Sequence, residues 1–329
     1  MTSRLPETAA VLAVRRGVRE WVAAHGGPSP VVVGLSGGAD SLALVAAAVV
    51  EAGEVCAVVV DHRLQAGSAE VAERAATQAL GLGCVGAIVV PVEVGRVGGA
   101  EAAARSARYA ALETVRDGRP VLLGHTLDDQ AETVLLGLAR GSGGRSIQGM
   151  AAWNPPWGRP LLGVRRADTA RMCADLGIEP WDDPHNADRR YTRVRVREEI
   201  LPLLEDALGG GVAQALVRTA DHLREDGAVL DAYAAELLRN ARARLAGTSA
   251  LSIEILATAP PALRRRVVRA WLADQGVTGL VNAHLQAIDE LVSNWHGQGG
   301  VAVAGGSSDH RLVVTRERGT LAVRAQPRI

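Results

Sequence analysis

The 329-residue chain contains no lysine and no phenylalanine. Without lysine there can be no Schiff-base aldolase, no pyridoxal enzyme and no Walker A nucleotide loop, since each needs an ammonium at a fixed position. Any phosphate must be held by backbone amides, hydroxyls or arginine. The missing phenylalanine, beside an excess of alanine, valine and glycine, reads as a GC-rich coding bias with no functional content. Cysteine is scarce: Cys56, Cys84 and Cys173 are far apart and odd in number, so neither a disulfide framework nor a CxxC metal site is available, and a reducing cytoplasm is expected. Long apolar runs are absent too. The longest, Leu42 to Val50, is nine residues, and the first 25 residues carry Arg15, Arg16, Arg19 and Glu20 within their apolar pattern. Neither a signal peptide nor a membrane span is expected.

The length leaves room for two domains rather than one, because single cores stop growing near roughly 250 residues. With 48% hydrophobic and 22% charged residues, the composition is that of a globular protein. Arginines and acids cancel over the whole chain, but residues 218–329 hold 14 arginines against 11 acids. A denser cluster, Arg189, Arg190, Arg193, Arg195 and Arg197, precedes that basic third. Taken alone, it reads equally well as a solvated helix face or a polyanion contact.

The first half alternates β-branched runs with longer Ala-rich stretches, the pattern of βαβ units around a parallel sheet. Strands are expected at 30–35, 55–60, 86–92 and 120–124, and helices near 7–24, 40–52, 67–82, 99–117 and 128–140. The Gly- and Pro-rich text from Gly141 to Gly158 is expected to hold no regular structure. Helices near 165–177 and 192–206 follow, and Gly209-Gly210-Gly211 marks the expected boundary between a domain of residues 1–208 and one of 212–329. The latter is expected to be smaller and mostly helical, near 212–245, 260–275 and 281–294, ending in a hairpin or three short strands near 300–325.

Val31-Val32-Val33-Gly34-Leu35 runs into Ser36-Gly37-Gly38-Ala39-Asp40-Ser41 and then a helix. Paired glycines let backbone N–H groups approach an anion, the helix directs its positive dipole end at the same spot, and Ser36 and Ser41 add neutral donors. Asp40 is out of place beside phosphate unless a divalent cation bridges them, so the loop suits a magnesium nucleotide. Asp61 and His62 end the second strand, where open parallel sheets place ligand contacts. A third strand end runs into Gly124-His125-Thr126-Leu127-Asp128-Asp129-Gln130-Ala131-Glu132-Thr133. Asp129 and Glu132, three apart, share a helix face beside the phosphate loop, so their natural partner is a cation, either magnesium or a cationic substrate.

The hexapeptide Ser36–Ser41 matches the SGGxDS loop of the ATP pyrophosphatases, a phosphate loop that needs no lysine. Together with the HxxDDQAET stretch from His125 to Thr133, it resembles the tRNA(Ile)-lysidine synthases. Further matches are Asp61-His62-Arg63-Leu64, with Gln65 where that family has arginine; the helix Glu101–Leu112; Arg140–Gly143 with Gly149-Met150; Arg159–Leu162; and Asp183–Arg197, with His185 in a serine position. The likeness spans about 30–205.

The resemblance implies a Rossmann-like parallel sheet with helices on both faces, of PP-loop ATP pyrophosphatase type, followed by the smaller helical domain. It implies a two-step reaction in which ATP and Mg2+ adenylate the wobble cytidine of tRNA(Ile) with a CAU anticodon, and the ε-amine of free L-lysine then displaces AMP. On this reading Ser36, Gly37, Gly38, Ala39, Asp40, Ser41, Asp61 and His62 hold ATP, and Asp40 also holds the metal. Arg105, Asp129 and Glu132 take the lysine. Asp40, His125 and Asp129 are the catalytic candidates, with His125 open between phosphate contact and proton handling. Arg189, Arg190, Arg193, Arg195, Arg197, Arg264, Arg265, Arg266 and Arg269 become candidate tRNA contacts, since guanidinium forks suit phosphate. Trp153 and Trp157 either stack on an extruded base or pack internally. A homodimer is compatible with the sequence, which contains nothing that specifies one. A tRNA thiolation enzyme is disfavoured by the isolated cysteines, a glutamine-dependent amidation enzyme by the lack of a glutaminase domain, and a non-enzymatic nucleotide or RNA binder by the acids among phosphates.

Overall fold

The computed structural model describes residues 5–65, 67–95, 99–141, 143–184, 188–243 and 249–327. The chain divides into two compact units, Met1–Leu136 with Gly149–Arg218, and Gly137–Gln148 with Thr219–Ile329.

The first unit is built on a six-stranded sheet formed by β1 (Val31–Leu35), β2 (Val55–Asp61), β3 (Gly86–Pro91), β4 (Val121–Leu123), β5 (Trp153–Asn154) and β6 (Trp157–Gly158). Its strand order is β3-β2-β1-β4-β6-β5. All neighbours pair in parallel except β5 with β6. Helices α1 (Ala9–Ala24), α2 (Ala39–Glu51), α3 (Ser68–Gly81), α4 (Ala100–Val115), α5 (Leu127–Ala139) and α6 (Arg166–Asp175) surround it. The two-residue period of β1 decides which face each side chain serves. Val31, Val33 and Leu35 enter a core shared with α1, α2, α3 and α6, while Val32 joins Cys56, Val58, Leu112, Val121 and Leu123 on the other face. Both faces are therefore covered, as parallel strands require.

Register places the chemistry. Leu35 lies opposite Val59, and Gly34 lies between Val58 and Leu123. The segments after β1, β2 and β4, which begin at Ser36, His62 and Gly124, thus leave the sheet along one edge.

Two expectations need correction. The Gly- and Pro-rich stretch is partly regular: Gly144–Ile147 forms a 3-10 turn, and β5 and β6 form a tight hairpin that extends the sheet through Val121↔Trp157 and Leu122↔Gly158. The prolines sit in the two-residue turn between these strands, where no ladder donor is needed. The expected single helix near 192–206 is in fact α7 (Thr192–Arg195), a π-helical turn (Val196–Ile200) and α8 (Leu201–Ala207). Gly209, Gly210 and Gly211, at φ +81°, +88° and +76°, separate α8 from α9 (Val212–Ala243). The division between the units comes later, inside α9.

The second unit combines the remainder of α9 with α10 (Ile253–Ala257), α11 (Pro261–Asp274) and α12 (Asn282–Ser293). A four-stranded antiparallel sheet completes it, made of β7 (Leu251–Ser252), β8 (Val301–Gly306), β9 (His310–Glu317) and β10 (Thr320–Pro327) in the order β7-β10-β9-β8. Trp271, Leu272, Ile288 and Leu291 form its fully buried centre. The indole of Trp271 donates to the Ser249 carbonyl at 2.6 Å, which satisfies its one polar atom. Among the described residues, no single helix is long and apolar enough to cross a membrane.

Candidate active site

The loop between β1 and α2 folds around its own hydroxyls. Ser41 Oγ donates to the Gly38 carbonyl at 2.9 Å, accepts from the Ser36 amide at 3.2 Å and lies 3.1 Å from Ser36 Oγ. Gly37 takes φ +81°, which a side chain would strain, and its carbonyl accepts from the Trp181 amide at 2.8 Å. The opening amides of α2 have no intrahelical partner, so they and the helix dipole face the same space. Gly124 presses on this turn: a Cβ there would stand 3.0 Å from the Asp40 carbonyl oxygen and 3.1 Å from the Ser41 nitrogen. The next residue, His125, is thereby held beside the loop.

Above this edge lies a cavity of ≈ 1180 Å³ within the first unit. Its wall includes Ser36, Gly38, Ala39, Asp40, Ser41, Asp61, His62, Arg105, Arg108, His125, Asp129, Arg166, Trp181, Arg189, Arg193 and Arg197. Six guanidiniums among these residues give it the field of an anion site. Asp61 is buried and caps the turn after β2 by accepting from the Arg63 amide at 2.9 Å.

A network of acids and arginines forms one side. Arg166, at the start of α6, reaches Asp129 at 2.7 Å, Glu132 at 3.3 Å and Asp40 at 3.5 Å. Arg197 holds Glu132 at 2.8 Å and Asp129 at 3.5 Å, and Arg193 approaches Glu132 at 3.6 Å. The Thr169 hydroxyl donates to Asp40. Burial raises the Asp40 carboxyl above its ordinary value, against the pull of Thr169 and Arg166. Asp129 moves the other way: burial pushes it up, but Arg166, the Thr126 amide and nearby charges prevail, so it stays ionised. For Arg166, burial lowers the guanidinium and Asp129, Glu132, Asp40 and Asp128 more than restore it. Burial drives His125 down to about 3, with the Asp129 charge opposing, so its imidazole is neutral near pH 7. His62 is lowered as well, by burial and the Arg108 charge.

Residues 13–204 match the PP-loop domain family, and residues 251–322 match the TilS substrate binding domain. The tRNA(Ile)-lysidine synthase from Nocardia farcinica is 65% identical over 96% of this chain and 98% of its own length. That from Rhodococcus jostii is 60% identical over 97% of each. The chain belongs to the tRNA(Ile)-lysidine synthase family. Among solved structures, the U34-tRNA thiolase NcsA from Methanococcus maripaludis is similar at 17% identity and a TM-score of 0.54, covering 67% of this chain and 81% of that one. This likeness shows the fold alone.

The three thiols are free and buried, and burial pushes Cys84 up to about 12 and Cys173 up to about 11. Neither is a thiolate near neutral pH, which fits a lysidine synthase relative rather than a sulfur carrier.

Of the predicted residues, the structure brings Ser36 to Ser41, Asp61, His62, His125, Asp129 and Arg105 to the cavity. Three placements correct the sequence reading. Glu132 is fully buried and absent from the cavity wall; it accepts from Arg166 and Arg197 and lies 3.6 Å from Arg193, which donates instead to the Thr133 hydroxyl. Arg193 and Arg197 turn inward to that carboxylate rather than outward to an RNA backbone. Arg264 is buried, with its Nε 2.6 Å and its second nitrogen 3.1 Å from the Asp289 carboxylate, so it is a core fork and not an RNA contact. Arg190 pairs with Asp188 at 2.7 Å and Arg195 with Glu199 at 3.3 Å, both at the surface. In the second unit Arg265 lies 3.7 Å from Asp289 and Arg266 lies 3.0 Å from Asp231, while Arg269 has no acidic partner among the described residues. Trp153 meets Trp21 edge-on at 5.4 Å and Trp157 meets Tyr109 at 4.6 Å, so both tryptophans pack internally. His185 lies outside the described residues, and Gln65 donates to Asp183 at 3.0 Å.

Sequence reasoning missed Arg166, Thr169 and Arg108. One signal was present for Arg166: Arg165 and Arg166 open a helix, where a cation opposes the dipole and therefore needs another partner. Nothing local marks Thr169 or separates Arg108 from Arg105.

Proposed function

We propose that the chain ligates free L-lysine to C2 of the wobble cytidine of tRNA(Ile) with a CAU anticodon, using ATP and releasing AMP and pyrophosphate. The observation that carries this reading is the SGGxDS loop folded at the edge of a cavity lined by guanidiniums, beside a strand end that presents neutral His125 and ionised Asp129. In the first step the C2 carbonyl oxygen of cytidine attacks the α-phosphorus of ATP, the bond to the β,γ-pyrophosphate breaks, and the cytidine becomes adenylated. In the second, the ε-amine of lysine adds at C2, AMP leaves with the C2 oxygen, and the amine loses a proton. The product reads AUA where the precursor reads AUG.

The loop amides and the serines Ser36 and Ser41 suit the departing pyrophosphate, with charge-assisted hydrogen bonds to amides that are already in place. Asp40 fits a magnesium ion: it is a carboxylate on the cavity wall, held by the Thr169 hydroxyl and loosely by Arg166, and Mg2+ is commonly held by one or two carboxylates with substrate phosphates and waters. When bound, the ion would neutralise phosphate charge. His125, uncharged at working pH and with a shielded, unpartnered Nδ1, is able to accept a hydrogen bond, while burial leaves it too weak a base to hold a proton near neutral pH. Asp129 supplies negative charge at the same edge for a substrate ammonium. Arg265, Arg266 and Arg269 of the second unit and the exposed Arg189, Arg190 and Arg195 are the candidates for tRNA phosphates. A cytoplasmic location agrees with three free cysteines and with substrates that are tRNA and ATP.

Asp40→Asn tests the enzyme reading. The variant is expected to retain tRNA affinity within about twofold and to lose at least roughly 100-fold in pyrophosphate release, a difference of about 2.7 kcal/mol in the barrier. Unchanged pyrophosphate release would contradict it.

A further inference from the structure

Asp40 carries the metal in the reading above, and helix α6 is what holds its carboxylate. Arg166 opens α6 and Thr169 follows three residues later, so the two side chains share one face of its first turn. The Thr169 hydroxyl, on a fully buried side chain, donates to one oxygen of Asp40, and Arg166 Nε lies 3.5 Å from the other. The same guanidinium is 2.7 Å from Asp129 and 3.3 Å from Glu132. Arg197 reaches both of those acids, at 3.5 and 2.8 Å, and Arg193 stands 3.6 Å from Glu132.

The charges of this network cancel. Ionised Asp40, Asp129 and Glu132 bring three negative charges, and Arg166, Arg193 and Arg197 bring three positive ones. The network therefore has no net negative charge to offer a divalent cation, and a cation placed on Asp40 is repelled by the guanidinium beside the same carboxylate. A polyphosphate alters that sum, because its oxygens bring the negative charge that the network lacks, and magnesium is commonly held between a carboxylate and substrate phosphates. We propose that Arg166 makes metal and nucleotide binding joint: its charge keeps Asp40 from taking a divalent cation alone and admits one only together with a polyphosphate. Arg166 thereby sets the order in which the site fills, the cation arriving with the nucleotide and not before it. The proposal rests on the assignment of the metal to Asp40, and its test separates the two.

The probe is Mn2+, with its free concentration read by electron paramagnetic resonance in the presence of the full chain. Titrations are run without nucleotide and with α,β-methylene-ATP, an analogue that cannot release pyrophosphate. Without nucleotide, Arg166→Gln is expected to bind Mn2+ at least about tenfold more tightly than wild type, since the repulsion between a dication and a neighbouring guanidinium exceeds that factor even at the dielectric constant of water. Arg166→Lys keeps the charge and is expected to stay within about threefold of wild type. The gain is expected to vanish when Arg166→Gln is combined with Asp40→Asn. A purely structural Arg166 predicts a lower melting temperature for R166Q with no gain in Mn2+ affinity. Affinity of R166Q within about twofold of wild type, a gain that survives D40N, or an equal gain in R166K overturns the proposal. Should R166Q fail to fold, Thr169→Val decides: it frees one oxygen of Asp40 but leaves the charge, so Mn2+ affinity without nucleotide is expected within about threefold of wild type, and a tenfold gain would show that the hydroxyl and not the cation withholds the acid. Failure of the metal assignment itself appears elsewhere, as a D40N protein that binds Mn2+ with the analogue as tightly as wild type does.

Discussion

Glu132 separates a structural from a substrate role most sharply. Its carboxylate has no exposure and neutralises Arg166, Arg193 and Arg197, whose side chains are 27%, 32% and 24% exposed. Glu132→Gln keeps the shape and removes the charge, which leaves Arg166 and Arg197 to share Asp129 and Arg193 with only the Thr133 hydroxyl. Removing one member of a buried pair costs about 3–5 kcal/mol, and partial exposure of these arginines places the loss at the low end, about 3 kcal/mol. For a unit of this size that corresponds to a fall in melting temperature of roughly 6–12 °C. Differential scanning calorimetry on the full chain reads it directly. Had Glu132 received a substrate ammonium, the result would be reversed: lysine KM would rise while Tm held or increased, because binding groups are commonly placed at the expense of stability. A Tm within about 2 °C of wild type would refute the reasoning.

Gly124→Ala drives a Cβ into the turn between Asp40 and Ser41, so ATP affinity is expected to fall roughly tenfold or more, about 1.4 kcal/mol, with the melting temperature less affected; wild-type affinity by calorimetry would count against the close contact. His125 is held at about 3 in the folded chain against an ordinary 6.5, so protons favour the unfolded state. Its contribution to stability is fully present above pH 6.5 and is lost as pH falls toward 3, and His125→Gln should flatten that limb of the stability–pH curve measured by denaturant titration. Arg264→Ala should destabilise by about 3 kcal/mol through the orphaned Asp289. Arg269→Ala should instead leave stability alone and reduce the salt dependence of RNA binding by a slope of about 0.9, the amount expected for one phosphate contact.

The parallel sheet was legible because Val31–Leu35, Val55–Val60 and their helices repeat a period that only a doubly covered sheet satisfies. The loop Ser36–Ser41 was legible because Gly37, at φ +81°, is required by backbone geometry and not by packing. What the sequence concealed is pairing. Glu132 and Asp129 look alike on one helix, yet arginines from α6, α7 and the π-helical turn surround the first and leave the second at the cavity. Arg264, Arg265 and Arg266 likewise read as one basic run, but the helical period sends Arg264 to the core. The short strands β5, β6 and β7 are two residues each and too brief to show a period.

The most direct test of the central claim is transfer of labelled L-lysine into acid-precipitable RNA, with magnesium ATP and tRNA(Ile) carrying a CAU anticodon, followed alongside pyrophosphate release. Incorporation that depends on ATP, lysine and that tRNA together is the expected result. Pyrophosphate release without lysine transfer, or neither signal from folded protein with active tRNA, would contradict it.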